Sequence, residues 1–150
     1  MKTTMKLLML MLLVAAGIET ITSCSKQPQI YGKWMITEVS LTIGGEPVTE
    51  PGIAEFYEAS VVGHTMEFRK DGTVIVDGNE EKVGYYTLKD NEVILKDAIR
   101  KIVNGVEELH DTTGTIQILT DTDLSIDVLY PAEYTGLDVD AHVVMRFVRE

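Results

Sequence analysis

The chain has 150 residues, 24 acidic against 13 lysine and arginine side chains for a net charge of −11, and 45% apolar content. That length suits one domain with a sizeable core, and the acidic balance argues against nucleic acid and against a protein lying flat on anionic lipid. One cysteine, Cys24, leaves no internal disulfide framework.

Lys2 and Lys6 precede the apolar run Leu7 to Ile18. The run is shorter than the roughly 20 residues of a membrane span, and its length and charged flank fit the hydrophobic region of a secretory signal peptide. Ile21-Thr22-Ser23-Cys24 comes next, and it resembles the lipobox of bacterial lipoproteins, in which a cysteine receives lipid and becomes the mature first residue. The competing reading is an ordinary cleaved signal with a stray cysteine. The resemblance implies a leader over 1–23 and a mature chain of 127 residues (150 less 23) with 11 basic and 23 acidic residues, a net of −12. It also implies an acylated Cys24, which removes thiol and redox chemistry. A diacylglycerol plus an amide-linked chain such as palmitate then makes the membrane attachment persistent. In the same pattern, Ser25-Lys26-Gln27, with no aspartate directly after the cysteine, favours an outer membrane. With no acidic cluster following, the periplasmic face is favoured over the cell surface.

Residues 24–29, containing Pro28, read as a lipidated linker, and 30–150 as a single domain. From Ile30 onward short runs rich in Val, Ile, Thr and Tyr alternate with turn residues, the pattern of an all-β domain. A first strand runs from Ile30 to Ile43 and ends at Gly44-Gly45. Thr65–Arg69 and Thr73–Asp77 make a hairpin around Lys70-Asp71-Gly72, with glycine supplying the positive φ. Lys82–Leu88 and Glu92–Lys96 repeat the device around Lys89-Asp90-Asn91, with Asn91 expected in the left-handed region. Thr115–Leu119 and Leu124–Leu129 flank the turn 120–123. Ala141–Val148 closes the chain, with Val143, Met145 and Phe147 in phase and facing inward.

Two segments have alternative readings. Residues 97–105 fit a short helix capped by Asp97, or two long paired strands turning at Asn104-Gly105, a strong hairpin signal. The hairpin is favoured. Pro51 to Val62 places Ile53, Phe56, Tyr57 and Val61 at helical spacing behind a proline suited to a first turn. A short amphipathic helix is expected, either as a lid over a barrel mouth or docked permanently against the core.

About eight antiparallel strands joined mainly by hairpins can close into an up-and-down barrel. Tyr31-Gly32-Lys33-Trp34, the run MEFRKDGTV from Met66 to Val74, and Gly84-x-Tyr86 resemble the lipocalin-like domains of short bacterial lipoproteins. The resemblance implies that Trp34 plugs one end of the barrel, with an arginine from the last strand over its ring. Arg146 is the assigned partner and Arg149 a second possibility. It further implies an interior site for a small apolar or amphipathic ligand, with Phe56, Met66, Phe68, Tyr86, Ile126 and Met145 as cavity candidates.

No catalytic constellation is legible. His64, His110 and His142 lack metal-ligand spacing. The Asp-rich stretches 120–123 and 137–140 lack the glycine and distal glutamate of a calcium loop. Glu80-Glu81 and Glu107-Glu108 are adjacent pairs, whose side chains point to opposite faces of a strand. The expectation is a non-enzyme without cofactor or metal. Two functions remain open: a binding module for a small hydrophobic ligand, or a structural module with a side-chain-filled barrel that meets an envelope protein partner.

Overall fold

Alternation of apolar residues at a period of two builds almost everything in the domain. The computed structural model describes residues 29–135 and 138–150. The expected leader over 1–23, Cys24 and the expected linker to Pro28 lie outside the described residues, as do Leu137 and the side chain of Tyr57. The elements, in chain order, are β1 (Gly32–Ile43), β2 (Glu46–Pro47), α1 (Ile53–Val61), β3 (Thr65–Phe68), β4 (Thr73–Val76), β5 (Val83–Lys89), β6 (Glu92–Val103), β7 (Val106–Leu119), β8 (Asp123–Tyr130), α2 (Ala132–Thr135) and β9 (Ala141–Arg149).

β1 pairs with β3, each later strand pairs with the next, and β9 returns to β1, all antiparallel. β1 and β3 to β9 thus form a closed eight-stranded up-and-down barrel, in which every strand has a neighbour on both sides for part of its length. β2 is a two-residue flap on the far end of β1. Register shifts break the alternation on β1 between Ile36 and Glu38, on β6 between Leu95 and Ile99, and on β7 between Ile116 and Ile118. Such bulges bend a strand and increase its local twist, which closure requires.

Turn chemistry follows the sequence closely, with one correction. Gly72 lies at φ 85, and the Asp71 carboxylate accepts hydrogen bonds from the Thr73 amide at 3.0 Å and hydroxyl at 2.6 Å. In the next hairpin the left-handed residue is Asp90, at φ 55, and not Asn91. Aspartate tolerates that conformation as asparagine does, and the two-residue loop puts the demand on its first position. Asn104 and Gly105 both have positive φ, as a tight hairpin requires, and β6 and β7 are continuous on either side. Asp97 does not cap a helix. It sits in the β6 bulge at φ 52 and donates its backbone N–H to Asp111 at 3.0 Å.

The wall is uneven in height. β3 and β4 have four residues each, whereas β6 and β7 have 12 and 14. Beyond Leu95 on one strand and Gly114 on the other, β6 and β7 pair only with each other and rise as a two-stranded arm. Seven residues of it, Asp97 to Val103, extend roughly 20 Å.

α1 forms where the helical spacing predicts, but its apolar stripe is not covered. Ile53 is 45% and Phe56 70% exposed, and Val61 alone among the described stripe residues packs on the core. The helix packs against β1, entering at the level of Leu41, which accepts from Val48 N–H, and leaving at Ile36, which accepts from Gly63 N–H. It therefore runs down beside the stretch of β1 that the short β3 leaves unpaired, and does not span the mouth. Phe56 is outside the barrel interior.

Candidate functional site

At the lower end of the barrel Trp34 is fully buried, and its indole N–H donates to the Ile30 carbonyl at 2.6 Å. A guanidinium lies over the ring, its carbon 4.1 Å from the centroid, and it belongs to Arg149. The β1–β9 register explains this: Trp34 is directly opposite Arg149, while the bulge at Ile36/Glu38 sets Arg146 opposite Glu38. Arg146 faces outward and is held 2.9 Å from the Glu38 carboxylate. The expected pairing of Trp34 with Arg146 is thus corrected to Arg149.

Arg149 also donates to the carbonyls of Tyr31, Gln29 and Asp121 at 2.7, 2.8 and 2.7 Å. One side chain therefore ties the entering chain, the β7–β8 turn and the tryptophan together. Gly32 completes the arrangement. It adopts φ +125, and a Cβ there would sit 2.5 Å from the Arg149 guanidinium, which is the physical content of the Gly-x-Trp pattern.

Above this seal the core is filled by its own side chains. Phe68 and Tyr86 meet edge to face at 5.2 Å. A methyl added at Gly114 would lie 2.5 Å from Ile126. Phe68, Tyr86 and Ile126, expected to line a cavity, are instead nearly fully buried in this packed core. The Tyr86 hydroxyl donates to the Arg69 carbonyl at 2.7 Å, and burial pushes its pKa up to about 12. Tyr86 holds the β3–β4 turn and has no proton to offer a ligand near neutral pH.

Other inward-facing residues are less fully covered. Val39 and Leu41 pair with Met145 and Val143, and Tyr130 pairs with Ala141, so all share the inward face of Phe147. Met66 opposite Trp34, and Leu95 opposite Tyr86, face inward by the same register. Yet Val39, Leu41, Met66, Leu95, Tyr130 and Met145 are only half-buried. Met66, Leu95, Tyr130 and Met145 pack against the core from the side, each less covered than the core residues it meets. Met66 and Met145 were legible as candidates. Val39 and Leu41 were missed because the β1 bulge moves the inward phase from even to odd numbers, a change visible as Trp34, Ile36 and then Val39, Leu41, Ile43.

Two contacts join the β8–β9 connection to the inner face of the arm. Tyr134 stacks on His110 with centroids 4.6 Å apart, and its hydroxyl lies 3.2 Å from His110 Nδ1. Lys101 donates to the Glu133 carbonyl at 2.9 Å. The other histidines pair singly with carboxylates: His64 with Asp77 at 2.6 Å and His142 with Asp127 at 2.9 Å. Among the described residues no three His, Cys, Asp or Glu side chains gather as a metal site would need. In the turn 120–123, the Thr120 hydroxyl accepts from Asp123 N–H at 2.8 Å, and the Asp121 carbonyl accepts from Arg149. Those aspartates belong to turn structure. Glu80, exposed, pairs with Arg69 at 2.6 Å.

The arginine assignment can be tested by stability. Arg149→Ala removes a cation over an aromatic face and three hydrogen bonds at the seal, and should cost about 2 to 4 kcal/mol. Arg146→Ala breaks one exposed ion pair and should cost less than about 1 kcal/mol. Equal denaturation midpoints for the two variants would overturn the assignment. Comparison of the chain with protein-family models, with curated proteins and with solved structures found no match.

Proposed function

We propose that this chain is a lipocalin-like lipoprotein of the cell envelope, anchored through lipid on Cys24, that binds a small apolar or amphipathic molecule without catalysis. The observation carrying the binding reading is a closed barrel whose inward-facing Val39, Leu41, Met66, Leu95, Tyr130 and Met145 are left only half-buried beside fully buried core residues. Leaving such surface in water forgoes roughly 25 cal/mol per Å², which a bound apolar group recovers. Concave apolar sites at barrel mouths are where small ligands bind.

The test uses the acylated full chain in phosphatidylcholine nanodiscs, with methionine methyl groups labelled for NMR and octanol as a neutral probe. Octanol should shift the methyl signals of Met66 and Met145 saturably. Met35 faces outward opposite Val148 and should stay unmoved. Absence of any shift at Met66 and Met145 would remove the binding reading.

A second reading, an interaction module for an envelope protein, draws on the arm. Ile102 is 71% and Val106 63% exposed near its tip, with Leu109 beside them. Isolated two-stranded hairpins are marginally stable in water, and a partner strand would steady this one.

A further inference from the structure

Four outward-facing side chains form a row across the wall of the barrel. Ile118 of β7 is opposite Ser125 of β8, Ser125 is opposite Arg146 of β9, and Arg146 is opposite Glu38 of β1. Serine is the short member of this row. Register shifts at Ile116/Ile118 and at Ile36/Glu38 stand at its two ends; such bulges re-aim side chains and recur beside functional sites. The outcome is a cleft of about 380 Å³ in the outer wall, lined by Thr37, Ile118, Ser125 and Val148, with Arg146 and Asp123 as its charged groups. That volume is within the range of small-molecule sites, roughly 300 to 1,000 Å³.

Ser125 points to a ligand. It is only 2% exposed although it is on the outer face. Among the described residues its hydroxyl has one neighbour, Gln117 Oε1 at 3.5 Å, well beyond the about 2.5 to 3.0 Å of an ordinary hydroxyl bond. A buried hydroxyl so poorly paired is costly, and a polar group entering the cleft satisfies it. The charged groups are also incompletely engaged. Arg146 gives Nη1 to Glu38 at 2.9 Å, and its Nε and Nη2 make no hydrogen bond among the described residues. Asp123 accepts from the Thr122 hydroxyl at 2.5 Å and the Thr120 hydroxyl at 3.4 Å, both through Oδ2, which leaves Oδ1 open. Asp123 is two residues from Ser125 on the same face of β8, opposite Val148. A cation and an anion thus stand on adjoining strands beside one buried hydroxyl, with half-exposed Ile118 and Val148 as apolar walls.

We propose that this cleft binds a free aliphatic α-amino acid as its zwitterion. The carboxylate takes the open donors of Arg146 and the Ser125 hydroxyl, the ammonium takes Asp123 Oδ1, and the aliphatic side chain covers Ile118 and Val148. A ligand carrying both charges meets both groups, whereas a simple anion is opposed by Asp123 and Glu38 and a simple cation by Arg146. The cleft is on the opposite face of the wall from Ile126 and Met145, so it is independent of binding inside the barrel.

The experiment uses the acylated full chain in phosphatidylcholine nanodiscs, with isoleucine, valine and methionine methyl groups labelled for NMR. It is titrated with leucine, with N-acetylleucine, which lacks the ammonium, and with leucinamide, which lacks the carboxylate. Leucine should shift the Ile118 and Val148 signals saturably and leave Met66 and Met145 unmoved. The other two probes should each bind at least about tenfold more weakly, since each loses one charge-assisted contact. Ser125→Ala and Arg146→Gln should each weaken leucine by about five- to tenfold, with thermal midpoints near that of the parent, because one removes a poorly paired hydroxyl and the other an exposed ion pair. No shift at Ile118 and Val148, either blocked probe matching leucine, or leucine affinity unchanged in both variants would overturn the proposal. Shifts at Met66 and Met145 in place of Ile118 and Val148 would put the amino acid inside the barrel and overturn it equally.

Discussion

Replacing Trp34 by alanine should lower the stability of the barrel by about 3 to 5 kcal/mol, the range for truncating a large buried aromatic side chain. For a domain of this size that is a fall in melting temperature of roughly 10 to 25 °C. Three losses combine. The indole is completely buried at the closed end, its N–H satisfies the Ile30 carbonyl, and its ring is the face on which the Arg149 guanidinium rests. Removing it leaves a cavity, an unpaired carbonyl and a cation without its platform, in a protein whose total stability is of the order of 10 kcal/mol. Trp34→Phe separates the terms, because it keeps most of the apolar plug and loses the N–H bond. It should cost distinctly less than alanine. Thermal unfolding followed by circular dichroism reads both variants, and an unchanged midpoint for Trp34→Ala would contradict the role of Trp34 as the seal.

Cys24→Ala should abolish membrane attachment. One acyl chain gives marginal, reversible binding, and persistence comes from several chains acting together. With the acceptor gone none can be attached. The variant should move to the soluble fraction, or persist as a precursor that retains residues 1–23. Unchanged membrane fractionation with unchanged acyl labelling would defeat the proposal.

The proposed anchor also carries an expectation of sidedness. Protease shaving of intact cells tests the side of the membrane: removal of the protein would place it at the cell surface and overturn the periplasmic assignment.

Much of the fold was legible because its rules are local. Period-two alternation located β1 and β3 to β9. Gly72 and Asn104-Gly105 marked turns whose backbone requires positive φ, and helical spacing marked α1. The inward set on β9 was legible too. Val143, Met145 and Phe147 were in phase, and the same phase continued two residues further reaches Arg149, not Arg146. The arginine over Trp34 was therefore legible in alternation alone, which separates Arg149 from Arg146 by strand face.

What the sequence by itself determined is the class of the domain, the number of its strands, most of its turns and the identity of its buried tryptophan, since each depends on residues close together along the chain. Only the tertiary structure decided how fully each inward residue is covered. Burial of Phe68, Tyr86 and Ile126 against half-burial of Met66, Leu95 and Met145 depends on which strands meet around them, and strands of four and 14 residues share one wall. It likewise decided that α1 lies beside β1 with Phe56 in water, because an amphipathic stripe requires something to cover it and cannot itself say what.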